Sequence, residues 1–356
     1  MSDRGLSVVI PVRGRVASTR RLLASLVEAA SSCDEPVEII LVDDSDPADA
    51  AAHQASCAEF GARYLRGPRH VGAKRNVGVA AASYDLIQFI DSDCLATPDL
   101  LRRQIATLRT EDASVGGVAG PTWVQAADTA VARIMARSKL LNSAFEWPAS
   151  AARVGWATTS NLAVRRSAFL AVGGFAERPL TVVGGEDVDL GLRLNEAGYA
   201  IVCDPQAVVR HDKSSIESLA TVARRLVTYG RSGQWLLHVH PQRSRFKLNR
   251  VSALAVVTLL GALAAPVSAG LSLLAVPAAA LGFLVVDTRI RLDADPVTPR
   301  SLVESAACAV LDWFFDLGEF LAAWQLGRPD RLFAGFAWTD DPAFVWHRAP
   351  ARRYGS

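Results

Sequence analysis

A stretch of 36 residues without a charged side chain, residues 251–286, constrains the fold more than any other feature of the sequence. At about 1.5 Å per residue it is too long for one crossing of a hydrocarbon layer roughly 30 Å thick, and its length suits two short helices broken near residues 266–270. The flanking basic residues are Arg243, Arg245, Lys247, Arg250, Arg289, Arg291 and Arg300. Cationic flanks predict a membrane hairpin with both ends in the cytoplasm. A buried helical pair in a soluble core and a re-entrant or shallow hairpin are the alternatives.

The composition narrows the classes of protein that the remainder can form. With 356 residues and a hydrophobic fraction of 50%, the chain is long and apolar enough for two domains, or for one large α/β domain with an attachment, and disorder is excluded. The net charge of +2 argues against a nucleic-acid binder held by bulk charge. The five cysteines form no CxxC pair, so we expect neither a disulfide framework nor a structural zinc site, but a reducing compartment. The first residues lack the layout of a signal peptide.

Upstream of the apolar stretch, short runs rich in Val and Ile alternate with segments long enough for crossover helices. The predicted buried strands are residues 6–12, 37–42, 84–90 and 115–119, and the predicted helices between them are residues 17–30, 48–60 and 72–82. This alternation predicts a mainly parallel, doubly wound α/β sheet with helices on both faces. In such sheets the ligand binds beyond the carboxyl ends of the strands, so the polar residues after each strand carry the functional information.

Acidic residues follow two of these predicted strands. Asp43 and Asp44 come after the second strand. Either could accept a hydrogen bond from a nucleobase imide N–H, and a turn that caps the next helix is an equally good interpretation. Asp91 and Asp93 follow the strand at 84–90. A turn there would let both carboxylates face one ligand, with one on a ribose and the other on Mg²⁺ or Mn²⁺ that bridges a diphosphate.

The glycine-bearing segment at 72–78 precedes the strand at 84–90 and is expected to open a helix. Its cations Lys74 and Arg75 could meet a phosphate at the helix N-terminus, or they could be ordinary surface charges. The segment matches neither GxGxxG nor GxxxxGK[ST], which argues against a dinucleotide oxidoreductase and against a P-loop nucleoside triphosphatase.

A second helix start, residues 184–194, places Glu186 and Asp187 in its first turn after a Gly-Gly pair. Acids there interact favourably with the helix dipole, which is a purely structural explanation. A carboxylate at that point can also take a proton from an attacking hydroxyl, and we expect Asp187 to be this general base. Because helical geometry turns neighbours about 100° apart, Glu186 is expected to do a different job.

One histidine, His211, ends an apolar run and is either a packing residue or a metal ligand beside a single carboxylate. The other histidines without such a context, which we predict to lie on the surface, are His53, His238, His240 and His347. The sequence has no Gly-x-Ser-x-Gly and no HExxH, so hydrolase mechanisms lack a nucleophile or a zinc motif.

Downstream of the apolar stretch, residues 302–326 carry acids at Glu304, Asp312, Asp316 and Glu319. At about 100° per residue these acids fall within an arc of roughly 120°, with Trp313, Phe314, Phe320 and Trp324 outside it. The pattern predicts an amphipathic helix in the membrane interface, because a third span would have to hide four carboxylates.

Taken together, the ordered motifs resemble the inverting family 2 glycosyltransferases of the GT-A fold. The matching stretches are residues 7–11, 42–45, 72–78, 91–93, 173–175, 186–187 and 210–211. Within that family, the segment from Gly184 to Tyr199, the Arg210-His211 pair, and the later Tyr229-Gly230 and His240-Pro241 look most like the mycofactocin-type glycosyltransferases.

The resemblance implies a nucleotide-diphosphate sugar donor, with a UDP-sugar favoured, and Mn²⁺ or Mg²⁺ as the cofactor. Asp43 would contact the base, Arg75 the base or diphosphate, and Asp91 the ribose. Asp93 and His211 would hold the metal. Further donor-binding residues implied by the resemblance are Pro11, Arg13, Asp44, Lys74 and Asn76. Glu186 and Asp187 would be the catalytic pair, with Asp187 as the base of a single displacement.

The sequence also predicts an organisation and a set of partners. The expected units are a transferase domain at 1–215, connecting helices at 216–250, the apolar hairpin at 251–286, and an interfacial helix with a tail at 287–356. We expect the catalytic domain on the cytoplasmic side of the cell membrane, contacts with membrane lipids, no nucleic acid, and a lipid-linked, amphiphilic or small peptide-derived acceptor.

Three other functions are left open by the sequence. A non-catalytic nucleotide-sugar-binding membrane scaffold would keep the same fold. A processive polysaccharide synthase would need Gln-x-x-Arg-Trp, of which Gln242, Arg245 and Phe246 form an imperfect match. A nicotinamide-dependent enzyme is opposed by the missing glycine fingerprint.

Overall fold

The computed structural model describes residues 3–126, 129–177, 184–213, 218–292 and 296–338. The strands are β1 Asp3–Val12, β2 Val37–Asp43, β3 Arg63–Arg66, β4 Tyr84–Phe89, β5 Cys94–Ala96, β6 Val115–Ala119, β7 Thr122–Ala126, β8 Arg153–Val154, β9 Leu162–Arg165, β10 Ala200–Cys203, β11 Val209–Lys213, β12 Ser244–Phe246 and β13 Ala334–Phe336. The α-helices are α1 Val16–Ser31, α2 Pro47–Phe60, α3 Val71–Ala81, α4 Leu100–Thr110, α5 Ala130–Ala136, α6 Lys139–Glu146, α7 Arg166–Ala171, α8 Glu186–Glu196, α9 Leu219–Val239, α10 Arg250–Ala264, α11 Ala275–Leu292 and α12 Pro299–Gln325.

A central eight-stranded sheet forms the core, in the order β3-β2-β1-β4-β9-β6-β10-β8. Strand β1 pairs in parallel with both β2 and β4, which confirms the alternating α/β arrangement predicted for the first half of the chain. Beyond β4 the sheet is mixed, because β9 runs antiparallel to both of its neighbours, β4 and β6. The direction reverses because the chain leaves the sheet after β6, forms α5 and α6, and returns from the opposite end of the sheet.

Helices cover both faces of this sheet, as the sequence predicted. On one face, α1 and α4 bury Leu22, Leu26 and Leu101 against the strands. On the other face, α3, α7 and α8 bury Phe169 and Leu190 among other apolar side chains. The strands are buried on both sides, which explains why they read as continuous apolar runs and not as alternating ones.

A second sheet of three strands lies beside the first, in the order β5-β11-β7. Strand β5 begins directly after Asp93, and β11 carries His211, which pairs with Cys94 of β5 and with Val124 of β7. The small sheet therefore fixes the acidic turn after β4 against the histidine strand by backbone hydrogen bonds.

The apolar stretch forms α10 and α11, and the helical course is interrupted between residues 265 and 270. Among the described residues, one helix is long and apolar enough to cross a membrane, with a mean hydropathy of 1.9. It runs over Leu271–Leu292 and consists of a 3₁₀ turn followed directly by α11. Only 11% of that apolar window is buried. Leu263 and Val267 are 69% and 93% exposed, so the pair is not the buried core of a soluble domain.

Helix α12 differs from the expectation in the direction that it faces. The sequence predicts an amphipathic helix in the membrane interface, but its four acids, Glu304, Asp312, Asp316 and Glu319, are all buried in the protein. Asp316 lies 2.9 Å from Lys247 and 3.2 Å from Arg250, and Glu319 lies 2.6 Å from Lys247. The other partners are Arg133 for Glu304, at 2.8 Å, and Arg291 for Asp312. The arc of carboxylates thus faces the protein because cations from neighbouring helices compensate its charge there.

The opposite side of α12 is apolar and exposed, with Val303 at 67% and Trp324 at 55%. Helix α12 also packs closely along α9. A Cβ atom on Gly230 of α9 would lie 1.9 Å from the carbonyl oxygen of Phe315, and one on Gly318 of α12 would lie 2.1 Å from that of Val227. The two glycines permit backbone contact between these helices.

Candidate functional site

The carboxylates after β2 are fully engaged within the protein. Asp43 is fully buried and accepts hydrogen bonds from the Ser45 backbone N–H at 2.7 Å, the Tyr64 hydroxyl at 2.8 Å and Arg66 at 3.1 Å. Although burial opposes it, the hydrogen bonds from Ser45 and Tyr64 lower the pKa of Asp43. The side chain therefore holds Tyr64 and Arg66 at the end of β2, and only Arg66 of this group is largely exposed.

Asp44 is held by the first cation of α3. Lys74 is buried, pairs with Asp44 and donates a hydrogen bond to the Val12 carbonyl at 2.9 Å. Burial lowers the pKa of Lys74, and its pairing with Asp44 acts in the opposite direction. The structure thus directs Lys74 to the ends of β1 and β2, where it joins the two strands, so it is not an ordinary surface charge. Its contact with phosphate stays a prediction.

Arg75 joins two acidic segments that are far apart in sequence. Its guanidinium lies 2.9 Å from Asp91 after β4 and 2.8 Å from Glu186 at the start of α8, and it stacks on the Phe175 ring at 5.4 Å. Arg75 is almost fully buried, whereas about a third of the Asp91 side chain is exposed. Asp91 is therefore the member of this group that can still meet a ligand, and Glu186 is used to compensate Arg75.

The remaining predicted donor-site residues have distinct surroundings. Pro11 lies in β1 opposite Val42, in the buried sheet. Arg13 is exposed and lies 3.8 Å from Asp44. The Asn76 side chain donates to the Phe175 carbonyl at 2.9 Å and accepts from the Phe175 N–H at 2.9 Å. Asn76 thus anchors the loop after α7, while Arg13 extends from the same edge of the sheet.

Three potential metal ligands meet where β5 and β11 begin their pairing. Asp93, Cys94 and His211 place one ligand atom each within 4.8 Å of one another. Asp93 Oδ1 lies 3.5 Å from His211 Nε2, a separation close to the roughly 3.0–3.5 Å between neighbouring ligands on a divalent cation. The other oxygen, Oδ2, pairs with the exposed Arg15 at 2.6 Å. A carboxylate and an imidazole at this spacing fit a divalent cation.

Asp187 has the electrostatic setting of a general base. It stands in the first turn of α8, whose N-cap, Gly185, has a left-handed backbone with φ of 86°. Burial and the negative charge of Glu186 raise the pKa of Asp187 to about 7, and the positive charge of Arg75 acts against this rise. A carboxyl group with a pKa near neutrality can both accept and release a proton.

Two histidines that we predicted to lie on the surface are buried. His240 Nε2 lies 3.0 Å from Asp189 of α8, which also pairs with Arg193 at 2.6 Å. His53 Nε2 lies 3.0 Å from the Gly14 carbonyl oxygen. These contacts join segments that are remote in sequence, so the local sequence around each histidine contains no signal for them.

Sequence reasoning did not single out Tyr229 of α9 as a site residue. Tyr229 is 36% exposed, and partial desolvation of its hydroxyl, together with the carboxylates of Asp187, Asp91 and Glu186, raises its pKa to about 12. The phenol therefore stays protonated and lies within electrostatic range of Asp187. Its position next to Gly230, the glycine that lets α9 approach α12, is the sequence signal that could have indicated it.

Comparison with known proteins assigns part of the chain to a family. Residues 7–169 match the family described as glycosyl transferase family 2. The chain therefore carries a domain of glycosyltransferase family 2.

Within that family the chain resembles a pre-mycofactocin glycosyltransferase from Mycobacterium tuberculosis. The two are 31% identical over 256 residues, which cover 68% of this chain and 50% of that protein, so the chain spans half the length of this relative. Glycosyltransferase AglE from Haloferax volcanii is 27% identical over 266 residues, covering 73% and 82% of the two chains. Among solved structures, mannosyltransferase PcManGT from Pyrobaculum calidifontis, in complex with GDP-Man and Mn²⁺, aligns with a TM-score of 0.49 and 17% identity, covering 93% of this chain and 87% of that one.

Proposed function

We propose that this protein is an inverting hexosyltransferase that moves a sugar from a nucleotide-diphosphate donor, with a UDP-sugar favoured, to an acceptor hydroxyl. The observation that carries the proposal is the convergence of two acidic segments that are remote in sequence. Asp91 after β4 pairs with Arg75, which also interacts with Asp187 at the start of α8, and Asp93 follows Asp91 by two residues. Such a cluster, built from remote segments at the end of a sheet, is typical of an active site.

The donor would lie across the ends of β1, β2 and β4. The nucleobase of the donor would bind beside Arg66, whose guanidinium is held by the buried Asp43. The ribose would bind to the partly exposed Asp91. Arg13 is exposed at the same edge and carries the positive charge that a diphosphate needs. In this proposal Lys74 and Arg75 keep the carboxylates in position and do not bind the donor themselves.

Asp93 and His211 would hold Mn²⁺ or Mg²⁺. When bound, the cation neutralises the negative charge that develops on the departing diphosphate. Asp187 takes the proton of the acceptor hydroxyl while the oxygen of that hydroxyl forms a bond to the anomeric carbon. The bond between the anomeric carbon and the diphosphate oxygen breaks in the same step. The displacement occurs in one step, so the anomeric configuration inverts and no sugar–enzyme bond forms.

We propose further that the protein acts at the cytoplasmic face of the cell membrane on a lipid-linked or otherwise amphiphilic acceptor. The support is the exposed apolar surface of α10, α11 and α12, with side chains such as Leu263, Val267 and Val303 directed outward. Helix α9 lies between this apolar surface and Asp187. One side of α9 packs on α12, and on its other side Ser232 contacts Gly184, which lies just before α8. An acceptor with a lipid tail could therefore reach Asp187 while its tail stays in the membrane.

The test is release of nucleoside diphosphate from a panel of UDP- and GDP-sugars, with and without Mn²⁺ or Mg²⁺. We expect turnover to need a divalent cation. Asp93→Ala should remove this dependence together with the activity, and Asp187→Asn should lower the rate on the order of 10²–10⁴-fold while donor binding is retained.

Asp99→Asn is the matched control, because Asp99 is an exposed acid at the N-terminus of α4 that forms its ion pair with Arg102 of that helix. Unchanged turnover in Asp187→Asn protein would exclude the assigned base. Donor binding without transfer or hydrolysis in the wild type would instead favour the non-catalytic scaffold.

A further inference from the structure

The proposed cation site contains a residue that the acid and the histidine do not account for. Cys94 directly follows Asp93 and begins β5. Its backbone pairs with His211 in the antiparallel β5–β11 ladder, and residues directly opposite each other in such a ladder present their side chains on the same side. The thiol is thus held beside the imidazole by the backbone of the small sheet.

The three side chains form a compact set of different donor atoms. Within 4.8 Å of one another lie a carboxylate oxygen of Asp93, the Cys94 sulfur and an imidazole nitrogen of His211. Small rotations of these side chains would bring the three atoms into the coordination sphere of one ion. Cys94 is buried, with 1% of its surface exposed, and His211 is mostly buried. Ligands held inside the protein in this way need little reorganisation to bind an ion.

The chemistry of this set differs from that of two carboxylates. Mg²⁺ and Mn²⁺ prefer oxygen ligands, whereas a thiolate with an imidazole and a carboxylate is typical of borderline-soft ions such as Zn²⁺ and Co²⁺. We propose that Cys94 is a third ligand of this site, so that the site binds Zn²⁺ in preference to Mn²⁺ or Mg²⁺. This inference rests on the cation site of the proposed function. The incoming ion displaces the thiol proton, which passes to solvent.

Cobalt is the probe, because Co²⁺ takes zinc sites and its bond to a thiolate produces a charge-transfer band in the near ultraviolet. The full chain in detergent, freed of metal with a chelator, is titrated with Co²⁺ and then with Zn²⁺. We expect one equivalent of Co²⁺ to give the band and Zn²⁺ to abolish it. Cys94→Ser should remove the band and weaken Co²⁺ binding. Loss of a hydrogen-bond partner of a metal ligand costs roughly 10- to 100-fold in metal affinity, and loss of a ligand itself should cost at least as much.

Cys57→Ser is the matched control, because Cys57 is also buried and free but lies in α2, outside the cluster. It should keep the band. The inference is overturned if wild-type protein binds Co²⁺ without the band, or if the band survives in Cys94→Ser. Zinc-edge X-ray absorption on the wild type answers the same question without a variant, since a ligand shell without sulfur excludes Cys94.

Mn²⁺-dependent release of nucleoside diphosphate, measured on the same preparations, separates the two proposals. If nucleoside diphosphate release still depends on Mn²⁺ but the metal has no sulfur ligand, only the ligand role of Cys94 is wrong and the cation site of the proposed function stands. If neither Mn²⁺ nor Co²⁺ binds, both the ligand role of Cys94 and the cation site of the proposed function are excluded.

Discussion

At the scale of single residues, two adjacent carboxylates at the start of α8 have different surroundings. Glu186 accepts from Arg75 at 2.8 Å, whereas the backbone N–H of Val188 donates to Asp187 at 2.9 Å. Because successive helical residues point about 100° apart, Arg75 forms its ion pair with Glu186 and acts on Asp187 through its charge. Glu186 fixes the local charge balance, and that balance sets the protonation of Asp187.

A pH profile should report this arrangement. The base acts only when it is deprotonated, so kcat/KM should rise with pH through a limb near the Asp187 pKa of about 7. Glu186→Gln removes a negative charge that raises this pKa, so the limb should move to lower pH. Glu196→Gln, in the exposed last turn of α8, is the control and should leave the limb in place. If the pH limb of kcat/KM stays in place in Glu186→Gln protein, Asp187 is not the group that the limb reports.

The sequence was informative about where the acids lie and less so about what they touch. Asp43, Asp91 and Asp93 could be placed at one edge because the carboxyl ends of parallel strands meet there. The pairing of Lys74 with Asp44, and of Arg75 with Glu186, could not be predicted, because residue spacing does not say whether a cation turns toward solvent or toward a strand that arrives later in the chain.

At the scale of elements, α12 shows how a helical period can be predicted correctly while its orientation is wrong. The spacing of the four acids predicted a helix, and Pro299–Gln325 is one. Which face points inward depends on the charges of the packing partners. Here Lys247, Arg250 and Arg291 come from the segments around the apolar stretch and neutralise the acids, so the carboxylates are inside and the apolar side chains are outside.

Breaking this network should destabilise the fold. Asp316→Ala leaves Lys247 and Arg250 with less compensation inside the protein, so the free energy of unfolding should fall by about 3–5 kcal/mol. Asp330→Ala is the control, because the Asp330–Arg328 pair is exposed and such pairs contribute about 0–1 kcal/mol. Chemical denaturation in detergent measures both. Equal losses in the two variants would show that the buried network does not hold α12 in place.

At the scale of the whole molecule, the exposed faces of α10, α11 and α12 give the protein one apolar side. Single exposed apolar residues are ordinary, but here they are successive and include a helix of 22 residues that is only 11% buried over its most apolar window. The sequence predicted this side from hydropathy. The spacing of the acids in α12 also predicted an amphipathic helix at the membrane interface, but not that its acidic face would be buried in the protein.

Binding to lipid vesicles should depend on this side of the molecule. Replacing both Leu263 and Val267 by Asp should lower the vesicle-bound fraction, with an affinity loss of at least roughly tenfold, because each buried apolar side chain contributes about 1.5–3 kcal/mol. Leu170→Asp is the control, since Leu170 is 54% exposed but belongs to α7, which packs on the eight-stranded sheet. Flotation with vesicles measures the bound fraction. Retention of the double variant on vesicles would exclude this surface as the membrane contact.

The three-stranded sheet couples the proposed cation site to the segment that follows it. Strand β7 pairs with the histidine strand and leads toward α5 and α6, and α5 packs against α12. A substitution that shifts β7 would therefore also displace His211, a ligand of the proposed site. Under the proposed function, changes within β7 should weaken cation binding, whereas changes on the outer surfaces of α5 and α6 should spare it.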